Sequence, residues 1–301
     1  MKKLMITGAA ALCAAVGFAI ESQNIVGYQD VDKGAVKQPM FGFTFTPVSG
    51  ASTIKLGSVT ASGMEGGRDI IQVINPTTLG TSASYTYYSD AQAQAEATEE
   101  ADGDPEAYEE VYAELSELVG WWVGGKFGKE SADNVDVAVG SGFLGLSPDA
   151  NDIAFKCAGE APTTAKAYAP GAVKQPIIAN FLPAKCYLKD ILVSGMEGGR
   201  DIIQVINPTT LGTTVSYTYY SDAQAQAEAA EEADGDPEAY EEVYAELSEL
   251  VGWWVGGKFG KESADNVVIN PGDAFLGLSP DANALTFNFK GVLDLTPVVE
   301  D

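Results

Sequence analysis

Histidine is missing from all 301 residues of this chain. That absence removes imidazole as a base, a nucleophile's partner or a metal ligand. It excludes a Ser–His–Asp triad, a Cys–His pair and a His-ligated zinc site. Arginine is nearly missing too, with only Arg68 and Arg200. Positive charge as a whole is scarce: 17 Lys and Arg stand against 43 Asp and Glu, a net charge of −26. Such a chain repels phosphate backbones, so nucleic acid is excluded as a partner. It also avoids anionic membrane surfaces. Only three cysteines occur, Cys13, Cys157 and Cys186, too few for a Cys-only structural zinc site. Beyond the N-terminus no apolar run reaches the length of a membrane span.

The N-terminus itself reads as a signal peptide over residues 1–19. Lys2 and Lys3 precede an apolar run, and the small residues Gly17 and Ala19 sit at −3 and −1 of a cleavage site before Ile20. Cys13 follows Leu12, where a lipoprotein signal wants a small residue, so lipidation is not expected. The expected localisation is secreted: extracellular, cell-surface or periplasmic.

The most informative feature is a repeat. Residues 62–135 recur as 194–267, differing only at Ser82/Thr214, Ala83/Val215 and Thr98/Ala230. The likeness then falls abruptly, leaving mainly the shared "FLGLSPDAN". Upstream, "GAVKQP" begins at Gly34 and again at Gly171 with a different offset. A block with such sharp edges reflects a recent copying event, so sameness inside it carries little functional information. The flanks differ in sequence yet keep one pattern, and so they report structure.

That pattern is strand-like. Phe41, Phe43 and Phe45 alternate with Gly and Thr; Val135, Val137 and Val139 alternate with polar or small residues. Ile153, Phe155 and Cys157 do the same, as do Leu285, Phe287 and Phe289. Period two with one apolar face marks a half-buried sheet. "DIIQVINPTT" adds a strand stopped at Pro76 and at Pro208. The expected fold class is therefore mainly β. It has two tandem small β-sandwich or barrel units, each with an inserted acidic α-helical hairpin. Unit 1 covers 20–159 with its hairpin at about 89–120, a linker covers 160–167, and unit 2 covers 168–301 with its hairpin at about 221–252.

Ser89 followed by Gln92 opens the first hairpin helix as a capping box, and Gly103 ends it. Asp104 then caps a second helix with Pro105 at its first position. Tyr108, Val111, Tyr112, Leu115, Leu118, Val119 and Trp122 form one stripe at helical spacing. The second helix is expected to lie on the sheet and to close at Gly120. The first offers nothing larger than alanine and is expected to be mobile or barely docked. Eleven acids and no base lie between Asp90 and Glu117, and the second copy matches. Like charges at i,i+4, such as Glu106/Glu110 and Glu110/Glu114, repel by roughly 0.2–0.5 kcal/mol each, so the hairpin suits screening, bound cations or a basic partner. Asp102, Asp104 and Glu106, with Asp234, Asp236 and Glu238, are hard-oxygen candidates for weakly bound Ca²⁺. The spacing lacks the glycine and terminal glutamate of an EF-hand, and a plain solvated face is the competing reading. Otherwise no cofactor is expected.

Trp121 and Trp253 are candidate glycan contacts, against the simpler reading of core packing. Cys157 and Cys186 fall on inward strand positions, as small buried hydrophobes or as a disulfide permitted by export. Asp69 beside Arg68, and Asp201 beside Arg200, read as local ion pairs. No motif places two carboxylates across a cleft as glycoside hydrolysis needs, so no enzyme activity is expected.

At "ESQNIVGYQDV", "GMEGGRDIIQV" (from Gly63 and Gly195) and "GSGFLGLSPDANDIAFKCAGEAP" the chain resembles a group of exported tandem β-repeat proteins of planctomycete–verrucomicrobial bacteria. The likeness covers most of the chain after residue 19 except the acidic hairpins, which look like insertions. It implies a β fold and export, and carries over no catalytic residue. The expected role is non-enzymatic, as a structural or interaction component of the cell surface or matrix that acts through self-association or contact with other surface proteins. A tandem carbohydrate-binding protein and a cation-binding surface protein stand as alternatives.

Overall fold

In the computed structural model the described residues run from 25 to 291, apart from 45, 48–50, 75–80, 126–129, 163, 208, 211, 258–259 and 261. The segment 1–19, Phe45 and the two strand-stopping prolines lie outside them.

The chain is mainly β, with antiparallel sheets and inserted helices. The strands of the first half are β1 (Ile25–Ala35), β2 (Met40–Gly42), β3 (Thr53–Lys55), β4 (Thr60–Ser62), β5 (Ile70–Ile74), β6 (Thr81–Tyr88), β7 (Gly120–Val123), β8 (Asp136–Ala138), β9 (Gly142–Leu146) and β10 (Asp152–Ala161). They form a five-stranded sheet ordered β2-β9-β5-β6-β7, a three-stranded sheet β1-β10-β4 and a small pair β3-β8. In the second half the strands are β11 (Lys166–Ala172), β12 (Ile177–Ala179), β13 (Cys186–Tyr187), β14 (Ile191–Ser194), β15 (Ile202–Ile206), β16 (Thr213–Tyr220), β17 (Gly252–Val255), β18 (Val268–Ile269), β19 (Ala274–Leu278) and β20 (Ala284–Phe289). Their sheets repeat the same order: β12-β19-β15-β16-β17, β11-β20-β14 and β13-β18.

In each half the larger and smaller sheets face one core, the layered arrangement of a sandwich. Phe41, Ile71, Tyr85, Trp121 and Phe143 of the five-stranded sheet meet Ala61, Ile153, Phe155 and Cys157 of the three-stranded one. Phe41 and Phe155 stack with centroids 4.4 Å apart. The alternation in β10 is visible as strict burial of Ile153, Phe155, Cys157, Gly159 and Ala161. A second cluster is built likewise around Trp253, Phe275, Phe287 and Phe289.

The two halves touch through equivalent positions. Gly42 and Ala179 both end their "GAVKQP"-led strands, and a Cβ on Gly42 would fall well inside contact distance of Ala179 Cβ. Gly142 and Ala274, the first residues of β9 and β19, are likewise neighbours. Backbone bonds follow the same reciprocity: Gly42 N–H donates to Gly272 O (3.0 Å) and Ala179 N–H donates to Gly140 O (2.9 Å). Gly140 packs under Tyr168 while Gly272 packs under Val31, the counterpart of Tyr168. A contact in which each residue meets its own equivalent is isologous, as in a two-fold dimer. Here one chain supplies both sides.

Candidate functional site

Each acidic hairpin grows out of the last residues of a central strand. The first comprises α1 (Asp90–Ala101) and α2 (Pro105–Ser116), and the second α3 (Asp222–Glu232) and α4 (Pro237–Ser248). Ser89 caps α1 by accepting Gln92 N–H at 3.1 Å. The Gln92 side chain does not complete the box. Its Oε1 accepts Gly66 N–H at 2.9 Å and its amide donates to Glu96 Oε1. Glu96 Oε2 in turn accepts the buried Tyr88 hydroxyl at 2.9 Å. Burial, with this carboxylate next, pushes the Tyr88 phenol well above its ordinary pKa, and Tyr220 beside Glu228 behaves alike.

These contacts reverse the expected roles of the two helices. Ala93 and Ala97 of α1 are fully buried and Ala101 nearly so, whereas α2 has no buried residue. The first helix is tied to the β body through Gln92 and Glu96, and along its length it packs on α2, where alanine lets helices approach closely at little loss of side-chain entropy. The second rides outside, with Tyr108, Val111, Tyr112 and Leu115 half-buried and the Tyr112 hydroxyl donating to Asp90 Oδ1 at 2.7 Å. Nor does the stripe run on to Trp122. The helix ends at Ser116, and Gly120 (φ 144°) turns the chain so that Trp121 and Trp122 lie on β7.

The calcium candidates are occupied in local structure. Asp102 and Asp234 sit in left-handed geometry at the ends of their helices (φ 49° and 46°). Asp104 accepts Glu106 N–H, and Asp236 accepts Glu238 N–H, each at 2.9 Å, as helix caps. Among the described residues no three acids or cysteines come together as a set that could hold a cation, so Asp102, Asp104, Glu106, Asp234, Asp236 and Glu238 do not form the expected sites.

Trp121 and Trp253 are corrected as glycan contacts. They are 1% and 0% exposed, and their indole N–H groups donate to the carbonyls of Val59 (2.7 Å) and Ile191 (2.9 Å). Each packs by its neighbouring Tyr87 or Tyr219 inside a core. The disulfide is corrected as well. Cys157 and Cys186 are buried in different cores and are not bridged. Burial, aided by Asp190 and Asp273, pushes the Cys186 thiol up to about 12, which leaves it an inert apolar filler.

The two shared sequence motifs meet in space. Asp69, fully buried, accepts Glu65 N–H and the Asn151 amide, both at 2.8 Å, through Oδ2. Its Oδ1 is buried without a hydrogen-bond partner, as is that of Asp201. Arg68 does not pair with Asp69 but reaches Asp149 at 2.7 Å and Glu65 at 3.8 Å. Arg200 repeats this with Asp281 and Glu197. "GMEGGRD" and "SPDAN" are thus two sides of one corner, and their polar groups fix the fold.

Among the clefts where the halves meet, two are equivalent. One, of about 320 Å³, has Val73, Tyr85 and Phe143 on one wall and Tyr168, Pro170 and Pro176 on the other. Its counterpart, of about 420 Å³, has Val205, Tyr217 and Phe275 facing Lys33, Val36 and Pro39. Lys33 is the feature that sequence reasoning missed. Its side chain is 8% exposed; Nζ donates to Gly272 O at 3.2 Å and lies 3.6 Å from Asp273 Oδ1. Burial lowers its pKa, against the opposing pull of Asp273 and Asp32. The equivalent position in the other half is Pro170, so nothing in the repeat pattern marks it.

One more difference between the halves is exposed. Cross-strand partners Lys55 and Asp136 form an ion pair at 2.9 Å on the first half. Their counterparts Tyr187 and Val268, also cross-strand partners, are 41% and 49% exposed. No protein-family model, curated protein or solved structure matches this chain.

Proposed function

We propose that the chain is an exported, non-enzymatic structural or interaction component of the cell surface or extracellular matrix, acting by self-association through its duplicated surfaces. The observation that carries this reading is the hairpin itself. The same acidic, outward-riding helix is presented twice from layered β bodies whose interiors are filled by side chains. The acids on it face solvent or cap helices, and among the described residues the deeply buried ammonium of Lys33 is held by a carbonyl and a carboxylate. Surfaces repeated on a rigid body suit recognition and assembly, where avidity multiplies a modest contact.

The test uses the chain lacking residues 1–19. Sedimentation velocity and electron microscopy at increasing concentration are expected to show particles larger than one chain at tens of micromolar. A single species of one chain's mass up to about 100 µM, where even weak specific contacts are populated, overturns the reading.

A further inference from the structure

The exposed difference between the halves has a direction. Among the described residues the large hydrophobic side chains standing most in solvent are Tyr187, Leu192 and Val268, all in the second half. Tyr187 and Val268 face each other across β13 and β18, and Leu192 follows on β14, one short 3-10 turn further along the chain. The first half carries Lys55, Asp136 and Thr60 at the same places, and there the surface is closed by an ion pair. One backbone therefore supports both a polar and an apolar version of this face, and the apolar version is not demanded by folding.

The rim of the apolar version is basic, in a chain of net charge −26. Lys189 Nζ lies 5.2 Å above the Tyr187 ring and 3.2 Å from Asn266 Oδ1. Lys185 is exposed beside Cys186. Of the acids beside them, Asp190 is buried and paired with Lys290 at 3.1 Å, and Asp265, whose carbonyl accepts Lys189 N–H, has its carboxylate accepting Trp253 N–H at 2.9 Å. An apolar pair beside lysines fits a partner whose exposed surface is acidic. The molecule carries that partner twice. Helices α2 and α4 share the sequence "PEAYEEVYAELS", bear no base, and expose their glutamates while the half-buried Tyr/Val/Tyr/Leu stripe stays with the preceding helix of the hairpin.

We infer that the Tyr187–Leu192–Val268 face is the docking surface for the acidic hairpin of a second copy of this chain. The inference rests on the assembly reading above and supplies its contact. Patch and hairpin are different surfaces, so the contact is heterologous and does not close on itself. Each chain offers one patch and two hairpins, and growth is open-ended. The aromatic and aliphatic centre supplies the affinity, and the lysine rim against the glutamates sets orientation and encounter rate.

The experiment compares three forms of the chain lacking residues 1–19 by sedimentation velocity. The patch variant carries Tyr187→Lys, Leu192→Thr and Val268→Asp, residues that the same fold already accommodates in the first half. The hairpin variant carries Glu110→Lys, Glu114→Lys, Glu242→Lys and Glu246→Lys. Circular dichroism and thermal melting confirm that each is folded. Each variant alone is expected to associate about a hundredfold or more weaker than wild type, as loss of an interface centre does. An equimolar mixture of the two is expected to form small complexes of two or three chains, because intact hairpins meet intact patches. If wild type itself stays a single chain, the assembly reading falls together with this contact. If wild type assembles and either variant alone assembles equally well, or the mixture stays dissociated, this contact is overturned while assembly through another surface stands.

Discussion

If the two halves meet as equivalents across Gly42 and Ala179, moving one methyl group from one side to the other should be nearly neutral, whereas adding it should not. Gly42→Ala places a Cβ into Ala179 Cβ and within 3.0 Å of Ser141 O. Both obstacles are backbone or Cβ atoms with no rotamer to yield. Overpacking of that kind destabilises by about 1–3 kcal/mol, and a chain of this size shifts by roughly 2–4 °C in melting temperature per kcal/mol. Ala179→Gly alone removes a fully buried methyl from a strand and should cost about 0.5–1 kcal/mol. Together the two substitutions restore one methyl across the axis, so the double variant should come within about 1 kcal/mol of wild type. The coupling, read from urea titrations of all four proteins by tryptophan fluorescence and far-ultraviolet circular dichroism, should then be at least 1 kcal/mol in the stabilising direction. Ala179 keeps its N–H bond to Gly140 O in every variant, so the cycle isolates the Cβ contact. Additive effects, or a Gly42→Ala variant as stable as wild type, would refute the packing of the two halves described above.

Three further outcomes follow from individual contacts. Ala97→Leu on the docked face of α1 should destabilise by about 1–3 kcal/mol by overpacking. Val111→Ala on the outer helix should change stability by less than about 1 kcal/mol, and equal losses in urea midpoint would mean that the docking face is misassigned. The phenols of Tyr85, Tyr87, Tyr88, Tyr217, Tyr219 and Tyr220 are all raised above their ordinary value, by burial first. The stability they contribute is present below the unfolded value near 10 and is lost as pH rises above it. Tyrosinate absorbance should therefore grow above pH 10 together with loss of circular dichroism, and full ionisation in a folded protein would contradict this. Lys33, lowered by burial, has the opposite sign. The unfolded chain holds its proton to higher pH, so stability gains as pH rises toward the ordinary lysine value near 10.4. The urea midpoint of wild type relative to Lys33→Met should increase between pH 7 and pH 10, and a constant difference would show that Lys33 is not buried as described.

The strands were legible because alternation is a direct consequence of strand geometry. Phe155 and Phe287 point inward for the same reason that they recur at period two. Capping was legible at Ser89 and Asp104 because a side-chain oxygen facing orphan N–H groups is a local event. Size is a poor guide to burial in the hairpin. Alanines 93 and 97 bury completely because they are small, while the tyrosine stripe of α2 remains half in solvent, and no periodicity distinguishes a helix that docks closely from one that rides outside. Trp122 keeps the three-and-four spacing through Gly120, yet the helix already ends at Ser116 and Gly120, at φ 144°, opens β7. The cysteines looked pairable because sequence does not say which core each enters. The contact between the halves was hidden for a different reason. It is made by Gly42, Ala179, Gly142 and Ala274, whose small size is the requirement, and small residues carry no pattern.

What the repeat does make legible is change under a fixed backbone. Where the copying event left two identical segments, sequence says nothing about selection for function. Where the halves diverge at equivalent positions, the backbone requirement cancels and the remaining difference reports surroundings. Lys55→Tyr187 and Asp136→Val268 convert one ion pair into one apolar pair on matching strands. Lys33 and Pro170 stand at equivalent places in the walls of the two clefts and give them different chemistry. Two surfaces that began alike have separated in chemistry while their cores kept the same strand order. Equivalent surfaces thereby differ in chemistry, and unlike surfaces are what the heterologous contact inferred above requires.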